Sequence, residues 1–366
     1  GVQEVSNGSF SQEGSELVTN GDFATDSDWI EIGGANINTT NKNVVFSNVT
    51  NGGVLQNNIF QVGYSYKVSF EITSVESGTG EVRFDAGGGT VISGKNEVGV
   101  YSAIFKYTSS AASDRVYIVS NSGTVNLTID NVSVKEVGQD WDLETGWSIG
   151  EDKAISDGSG SIPNTDLVQS NVFTTGKSYK VTLEIKDYVS GNLQLQNNTT
   201  NFPQSNGIHT IYSSTGGTSL ILRSLSFIGS ITNISVKEVG QNWVIRDAWS
   251  IEAQGVRGFN AGVSTDFYQL NVLPNIGKLY RFSFEILEIT SGSIELDFNS
   301  AETSQTYNTI GVHTGILNST GGNGAITFRG ASSFSGLITN ISVIEITDDT
   351  NLPRINYEGF SYQDAL

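Results

Sequence analysis

Tyr66-Lys-Val-Ser-Phe-Glu-Ile72 alternates large apolar with polar side chains, and so do Tyr179-Lys-Val-Thr-Leu-Glu-Ile185 and Tyr280-Arg-Phe-Ser-Phe-Glu-Ile286. In the first copy Tyr66, Val68, Phe70 and Ile72 fall on one face and Lys67, Ser69 and Glu71 on the other, the period of a half-buried strand. One strand used three times makes the chain a tandem array. An array of copies works by presenting surface repeatedly, whereas a catalytic centre needs one irreplaceable constellation.

Other landmarks set the register. Phe23 and Trp29 recur in spacing as Trp141 and Trp147, then as Trp243 and Trp249, which aligns Trp141 and Trp243 with Phe23. Gln56 and Asn58 reappear as Gln169 and Asn171, then as Gln269 and Asn271. Each copy closes on a related phrase, Ile129-Asp-Asn-Val-Ser-Val134, Ile231-Thr-Asn-Ile-Ser-Val236 and Ile338-Thr-Asn-Ile-Ser-Val343. These marks place a lead-in at 1–16, repeats at 17–137, 138–239 and 240–346, and a connector at 347–366. Each repeat is long enough for a core of its own. Within the lead-in, Val5-Ser-Asn-Gly-Ser-Phe10 echoes Val18-Thr-Asn-Gly-Asp-Phe23, as though a domain opening had been duplicated.

With 42 glycines, short alternating runs between turn clusters and no convincing helical period, the chain reads as all-β: three tandem antiparallel β-sandwich domains. In the closing phrase Leu127 and Ile129 share one parity, Val132 and Val134 the other. A slip of one residue turns the side chains over, so a β-bulge or a change of sheet is expected at Asp130-Asn131, Thr232-Asn233 and Thr339-Asn340.

Nineteen basic against 38 acidic residues give a net charge of −19, which opposes nucleic acid and anionic membrane as partners. No apolar run is long enough to span a bilayer, and no leader pattern is displayed. Beginning at Gly1 and lacking methionine, the chain reads as a processed or internal piece of something longer. Without cysteine it has no disulfide, thiolate metal site or thiol nucleophile. The Asn-X-Ser/Thr triplets at Asn131, Asn233 and Asn340 follow from composition and repetition rather than from glycosylation.

Catalytic candidates are few. His209 and His313 sit in matching phrases, and the first copy has Tyr101 there, so the position fills a strand rather than serving as a base. Glu71, Glu184 and Glu285 recur on the polar face of the signature strand, where solvation or a turn contact is expected. The five tryptophans keep fixed spacing and are assigned to cores. Sugar-stacking candidates are the aromatics that differ between copies: Tyr188, Phe202, Tyr212 and Tyr268. No cofactor is required. A structural calcium is expected, if anywhere, in repeat 1, where Asp22 at the opening and Asp130 in the closing phrase supply carboxylates.

Leu17-Val-Thr-Asn-Gly-Asp-Phe23 with Trp29, Gln56 ahead of the signature strand, and Ile129-Asp-Asn-Val-Ser-Val134 together resemble carbohydrate-binding modules of the family 4/9 type. The resemblance covers 17–346 and implies a galactose-binding-like jelly roll; where such modules carry an acid after Asn-Gly-Asp-Phe, this chain has Ala24. The Gly-Gln-Asp/Asn-Trp openings of repeats 2 and 3 and the run Thr350–Tyr357 are similar to repetitive bacteriophage virion proteins. That resemblance implies a non-catalytic segment of a tail fibre, head fibre or capsid-decorating appendage, located on the virion or outside the cell. Its implied partners are other virion proteins and host cell-surface polysaccharide. A secreted bacterial polysaccharide-binding protein or adhesin and a purely structural filament subunit are the alternatives. Fibres are often trimeric, but no heptad or collagen repeat demands a trimer here.

Overall fold

The computed structural model describes residues 1–108, 114–161, 165–214, 216–298, 304–319 and 324–347. The connector expected at 347–366 lies, apart from Thr347, outside the described residues. Among these the fold is all-β and antiparallel, with a single 3-10 turn at Gln196–Asn198.

Unit 1 is a sandwich of two sheets. One runs Ala35–Asn38, Asn43–Val49, Val125–Val137, Ser65–Val75, Gly99–Lys106, with Glu13–Glu16 added against Val125–Val137. The other runs Ile30–Ile32, Gly53–Gln56, Val116–Ser122, Glu81–Ala86, Gly89–Lys95. Units 2 and 3 follow the same path with longer strands. Ser178–Leu195 and Leu220–Val239 in unit 2, and Leu279–Asp297 and Ile326–Glu345 in unit 3, each do the work of two strands of unit 1, with register shifts where they bend. Each unit encloses its own apolar cluster.

The signature strand behaves as its alternation requires. Its twelve apolar-face residues, from Tyr66 to Ile286, are all at most 3% exposed. Each opening tyrosine sends its hydroxyl back to the turn five residues earlier, where it accepts the backbone N–H of Gln61 (2.8 Å), Thr174 (2.8 Å) or Asn275 (3.3 Å). Burying the ring while its hydroxyl stays bonded fixes the entry of the strand.

The expected bulges are present. Pairing with the signature strand shifts between Asp130 and Ser133 and at the matching places in units 2 and 3. Asn131, Asn233 and Asn340 take φ of 50°, 52° and 51°, the left-handed region that Asn tolerates better than most residues. Each amide Nδ2 then donates across the sheet to Glu71 (2.7 Å), Glu184 (2.8 Å) or Glu285 (2.7 Å). The repeated acids are thus partners of the bulge.

The lead-in is not a separate segment, which corrects the sequence reading. Val5 and Phe10 are buried in the core of unit 2, and Glu13–Glu16 is an edge strand of unit 1. Gln3 bridges to Lys237, Glu4 N–H bonds Val236 O (2.9 Å), and Ile234 N–H bonds Gly8 O (2.8 Å). In unit 1 Glu16 pairs with Lys135, Leu17 N–H bonds Val134 O (2.9 Å), and Val132 N–H bonds Gly21 O (2.9 Å). The two hexapeptides are equivalent elements on successive units, the first docked on unit 2 before the chain enters unit 1 at Glu13.

The tryptophan alignment changes accordingly. Phe10, at 5.2 Å from the Trp141 ring, takes the place of Phe23, at 5.3 Å from Trp29. Trp141 therefore corresponds to Trp29, not to Phe23. Trp147 and Trp249 correspond to Ala35, and the facing residue compensates: Ala35 pairs with Phe46, Trp147 with Ser156, Trp249 with Gly258. Large and small trade sides across one pair, conserving core volume.

Candidate functional site

Two clefts in the molecule bind polypeptide, and their chemistry is the same. In unit 1 the Gln56 side chain accepts Thr19 N–H (2.9 Å) through Oε1 and donates through Nε2 to Thr19 O (3.0 Å), reading the segment as a neighbouring strand would. In unit 2 Gln169 does this to Ser6, at 2.9 Å in both directions. Both glutamines are nearly buried, at 8% and 4% exposure. The indole N–H of Trp29 bonds Thr19 O and Asn20 O, and that of Trp141 bonds Asn7 O. The asparagine takes a positive φ, 54° at Asn20 and 45° at Asn7, which turns the chain back so that the phenylalanine plugs the core. The following glycine is obligatory: a Cβ on Gly21 would lie 2.1 Å from Val132 O, and one on Gly8 2.1 Å from Ile234 O. The pattern Val-X-Asn-Gly-X-Phe is therefore the code for docking. The echo was visible in the sequence, but which unit each copy serves was not.

The aromatics singled out for sugar contact do not form one platform. Phe202 is 2% exposed and belongs to the core of unit 2, which corrects its reading as a surface residue: its N–H bonds Leu193 O and draws it inward. Tyr188 is half-buried against Phe227 at 6.1 Å, and its hydroxyl donates to Gly191 O (3.1 Å). Tyr212, also half-buried, pairs with Lys180, while Tyr188 lies past the far end of that pairing at Ile185–Gly207. The strand bearing Tyr212, Gly207–Ser214, runs against Trp249–Glu252 of the next unit. Tyr268 is half-buried with the Arg246 guanidinium 5.1 Å from its ring centroid.

Asp22 is exposed and Asp130 partly buried. Burial raises the Asp130 carboxyl above its ordinary value; the Asn131 N–H that it accepts opposes this, and the charges of Glu71 and Asp22 add to it. Calcium takes six to eight oxygens. Among the described residues no group of three or more His, Cys, Asp or Glu side chains is arranged to hold a metal.

The histidine position closes a turn. His209 Nε2 bonds Ser205 O (2.7 Å), His313 Nε2 bonds Thr309 O (2.8 Å), and the Tyr101 hydroxyl donates to Glu97 O (2.8 Å). Since a carbonyl only accepts, each histidine carries its proton on Nε2. The exchange of Tyr for His preserves a donor.

A groove of about 760 Å³ runs between units 1 and 2, lined among others by Ser6, Tyr64, Lys106, Trp141 and Asn171. The Lys106 ammonium crosses the junction to Leu143 O (2.8 Å), and burial lowers its pKa. Lys67 reaches Glu13 (3.0 Å) and Glu151 (3.3 Å) beside it, and Lys135 also reaches Glu13 (3.0 Å). Among the described residues no helix is long and apolar enough to cross a membrane.

Compared with known families and curated proteins, the chain matches none. Solved structures give distant likenesses. The N-terminal CBM22-1–CBM22-2 tandem domain of Xyn10C from Paenibacillus barcinonensis is 14% identical, covering 59% of this chain and 89% of that one at a TM-score of 0.22. A triple jelly roll protein of an archaeal virus turret is 14% identical, covering 83% of each chain at a TM-score of 0.18. Allantoicase from Saccharomyces cerevisiae is 11% identical, covering 51% and 77% at a TM-score of 0.20. The fold itself stands on the strand pairing and cores described above.

Proposed function

We propose that this chain is a non-catalytic structural and adhesive segment of a bacteriophage virion protein, in a tail fibre, head fibre or capsid-decorating appendage, whose coupled sandwiches act as spacers and display surfaces toward host glycans. The observation that supports it most is where the repeated residues are used. The signature tyrosines, the bulge Asn–Glu pairs and the His/Tyr turn donors all bond within the protein itself. Such positions build and hold modules, and the residues that differ from unit to unit, such as Tyr212 and Tyr268, are left to vary contact with the outside. Weak contacts repeated over many copies on one particle add up to firm attachment.

The test has two arms. Antibodies raised against the chain decorate the fibres or head surface of the parent particle, and the purified chain is retained on an array of bacterial surface polysaccharides, less so after Tyr212→Ala or Tyr268→Ala. Retention without any particle labelling would point instead to a secreted polysaccharide-binding protein. Labelling without retention at millimolar glycan would leave a purely structural filament segment.

A further inference from the structure

Unit 3 has the docking cleft that units 1 and 2 have, and no described residue of this chain fills it. Its closing strand pairs with Leu279–Asp297 along one edge, through Ser283 with Ser342 and Phe282 with Val343. On the other edge nothing among the described residues does for Ile341 and Val343 what Gly21 and Leu17 do for Val132 and Val134. The residues around the cleft record the difference. Val132, Val134, Ile234 and Val236 are 0–3% exposed, but Ile341 and Val343 are only partly buried. Gln269 stands where Gln56 and Gln169 grip their segments, yet it is less buried than they are and its amide has no bonding partner among the described residues. Trp243 stands where Trp29 and Trp141 do; it too is only partly buried, and among the described residues its indole N–H has no acceptor. Thr339 is partly exposed where Thr232 is buried and donates to Ser9 O (3.2 Å).

We infer that unit 3 is a receptor for one further extended Val-X-Asn-Gly-X-Phe segment, a polypeptide partner lying outside residues 1–366 that adds as a strand and plugs the core with its phenylalanine. The two filled clefts define the ligand: a residue whose N–H and C=O face Gln269, an asparagine turned to positive φ over Trp243, a glycine against the Ile341 carbonyl, and then the phenylalanine. The chain has two Asn-Gly-X-Phe quartets, at Asn7 and Asn20, and both are committed to units 1 and 2. Residues 348–366 contain no such quartet; their one glycine, Gly359, directly precedes Phe360 instead of standing two before it. An open edge with incompletely covered apolar side chains is what strand addition uses, with main-chain bonds giving affinity and pockets giving specificity. This inference is independent of glycan binding.

The probe is a synthetic peptide of residues 3–12, added to the full chain and followed by calorimetry and tryptophan fluorescence. Binding of one peptide per chain is expected, weakened at least tenfold by Gly8→Ala in the peptide and at least tenfold by Gln269→Ala in the chain. Gln269→Ala leaves the cores intact, so its melting curve, matched to that of the unchanged chain, guards against misfolding. Absence of binding to a monomeric chain at millimolar peptide would overturn the inference. So would binding that appears only after residues 348–366 are removed, which would make the chain's own tail the occupant. Self-association in sedimentation, abolished by deleting residues 1–10, would assign the cleft to a second copy and overturn the separate partner.

Discussion

Asn131, Asn233 and Asn340 show how one side chain sets the course of a whole closing strand. Each accepts a backbone angle that most residues resist and bonds a glutamate that would otherwise face water. Asn131→Ala therefore loses about 1–2 kcal/mol, from the left-handed backbone and the missing bond together. Asn131→Gly loses less, because glycine adopts the angle freely; thermal melting of the two variants gives the order. Asp130, one residue earlier, has its pKa raised in the folded state by burial. Ionising it opposes folding, so the stability it contributes is full below its ordinary 3.8 and is lost as pH rises through the folded value. Asp130→Asn is accordingly expected to raise the melting temperature of unit 1 at neutral pH and to make no difference once the pH falls below that ordinary value.

At the scale of the element, the informative case is the hexapeptide Val5–Phe10. Deleting residues 1–10 removes two buried apolar side chains from unit 2, worth about 1.5–3 kcal/mol each. Hydrogen exchange should accelerate at Ile234, whose N–H loses its acceptor, while Val132 in unit 1 stays protected. Sequence alone disclosed the strands, the bulges and the repeat, because alternation and phase are local properties. It did not disclose that Phe23 has its counterpart at Phe10, because a short segment leaves no mark of which unit it joins. Phe23–Trp29 and Trp141–Trp147 have equal spacing although their members occupy different positions in the two units. Phe202 follows a two-residue strand, Thr200–Asn201, after the 3-10 turn, too short a run of pattern to show which way the next side chain faces. The Ala35–Phe46 and Trp147–Ser156 pairs provide a further test. Ser156→Phe alone overpacks unit 2 by about 1–3 kcal/mol. Adding Trp147→Ala recovers part of that loss, which a double-mutant cycle measures.

Over the whole molecule the units repeat their contacts as well as their folds. Gly99–Lys106 of unit 1 meets Trp147–Gly150 of unit 2, and Gly207–Ser214 of unit 2 meets Trp249–Glu252 of unit 3. The links are nevertheless unequal. Because Val5–Phe10 belongs to unit 2 and Glu13–Phe23 to unit 1, the backbone crosses that boundary once before Glu13 and again after Val137, whereas among the described residues it passes from unit 2 to unit 3 a single time, near Gly240. A protease nick beside Gly138 would thus cut the backbone yet leave unit 1 held to unit 2 by the docked segment Val5–Phe10, whereas after one beside Gly240 no docked segment among the described residues would hold unit 3. Under a load that draws neighbouring units apart, units 1 and 2 would be held by a docked segment as well as by strand contact and units 2 and 3 by strand contact alone, so the first separation would be expected at the second junction.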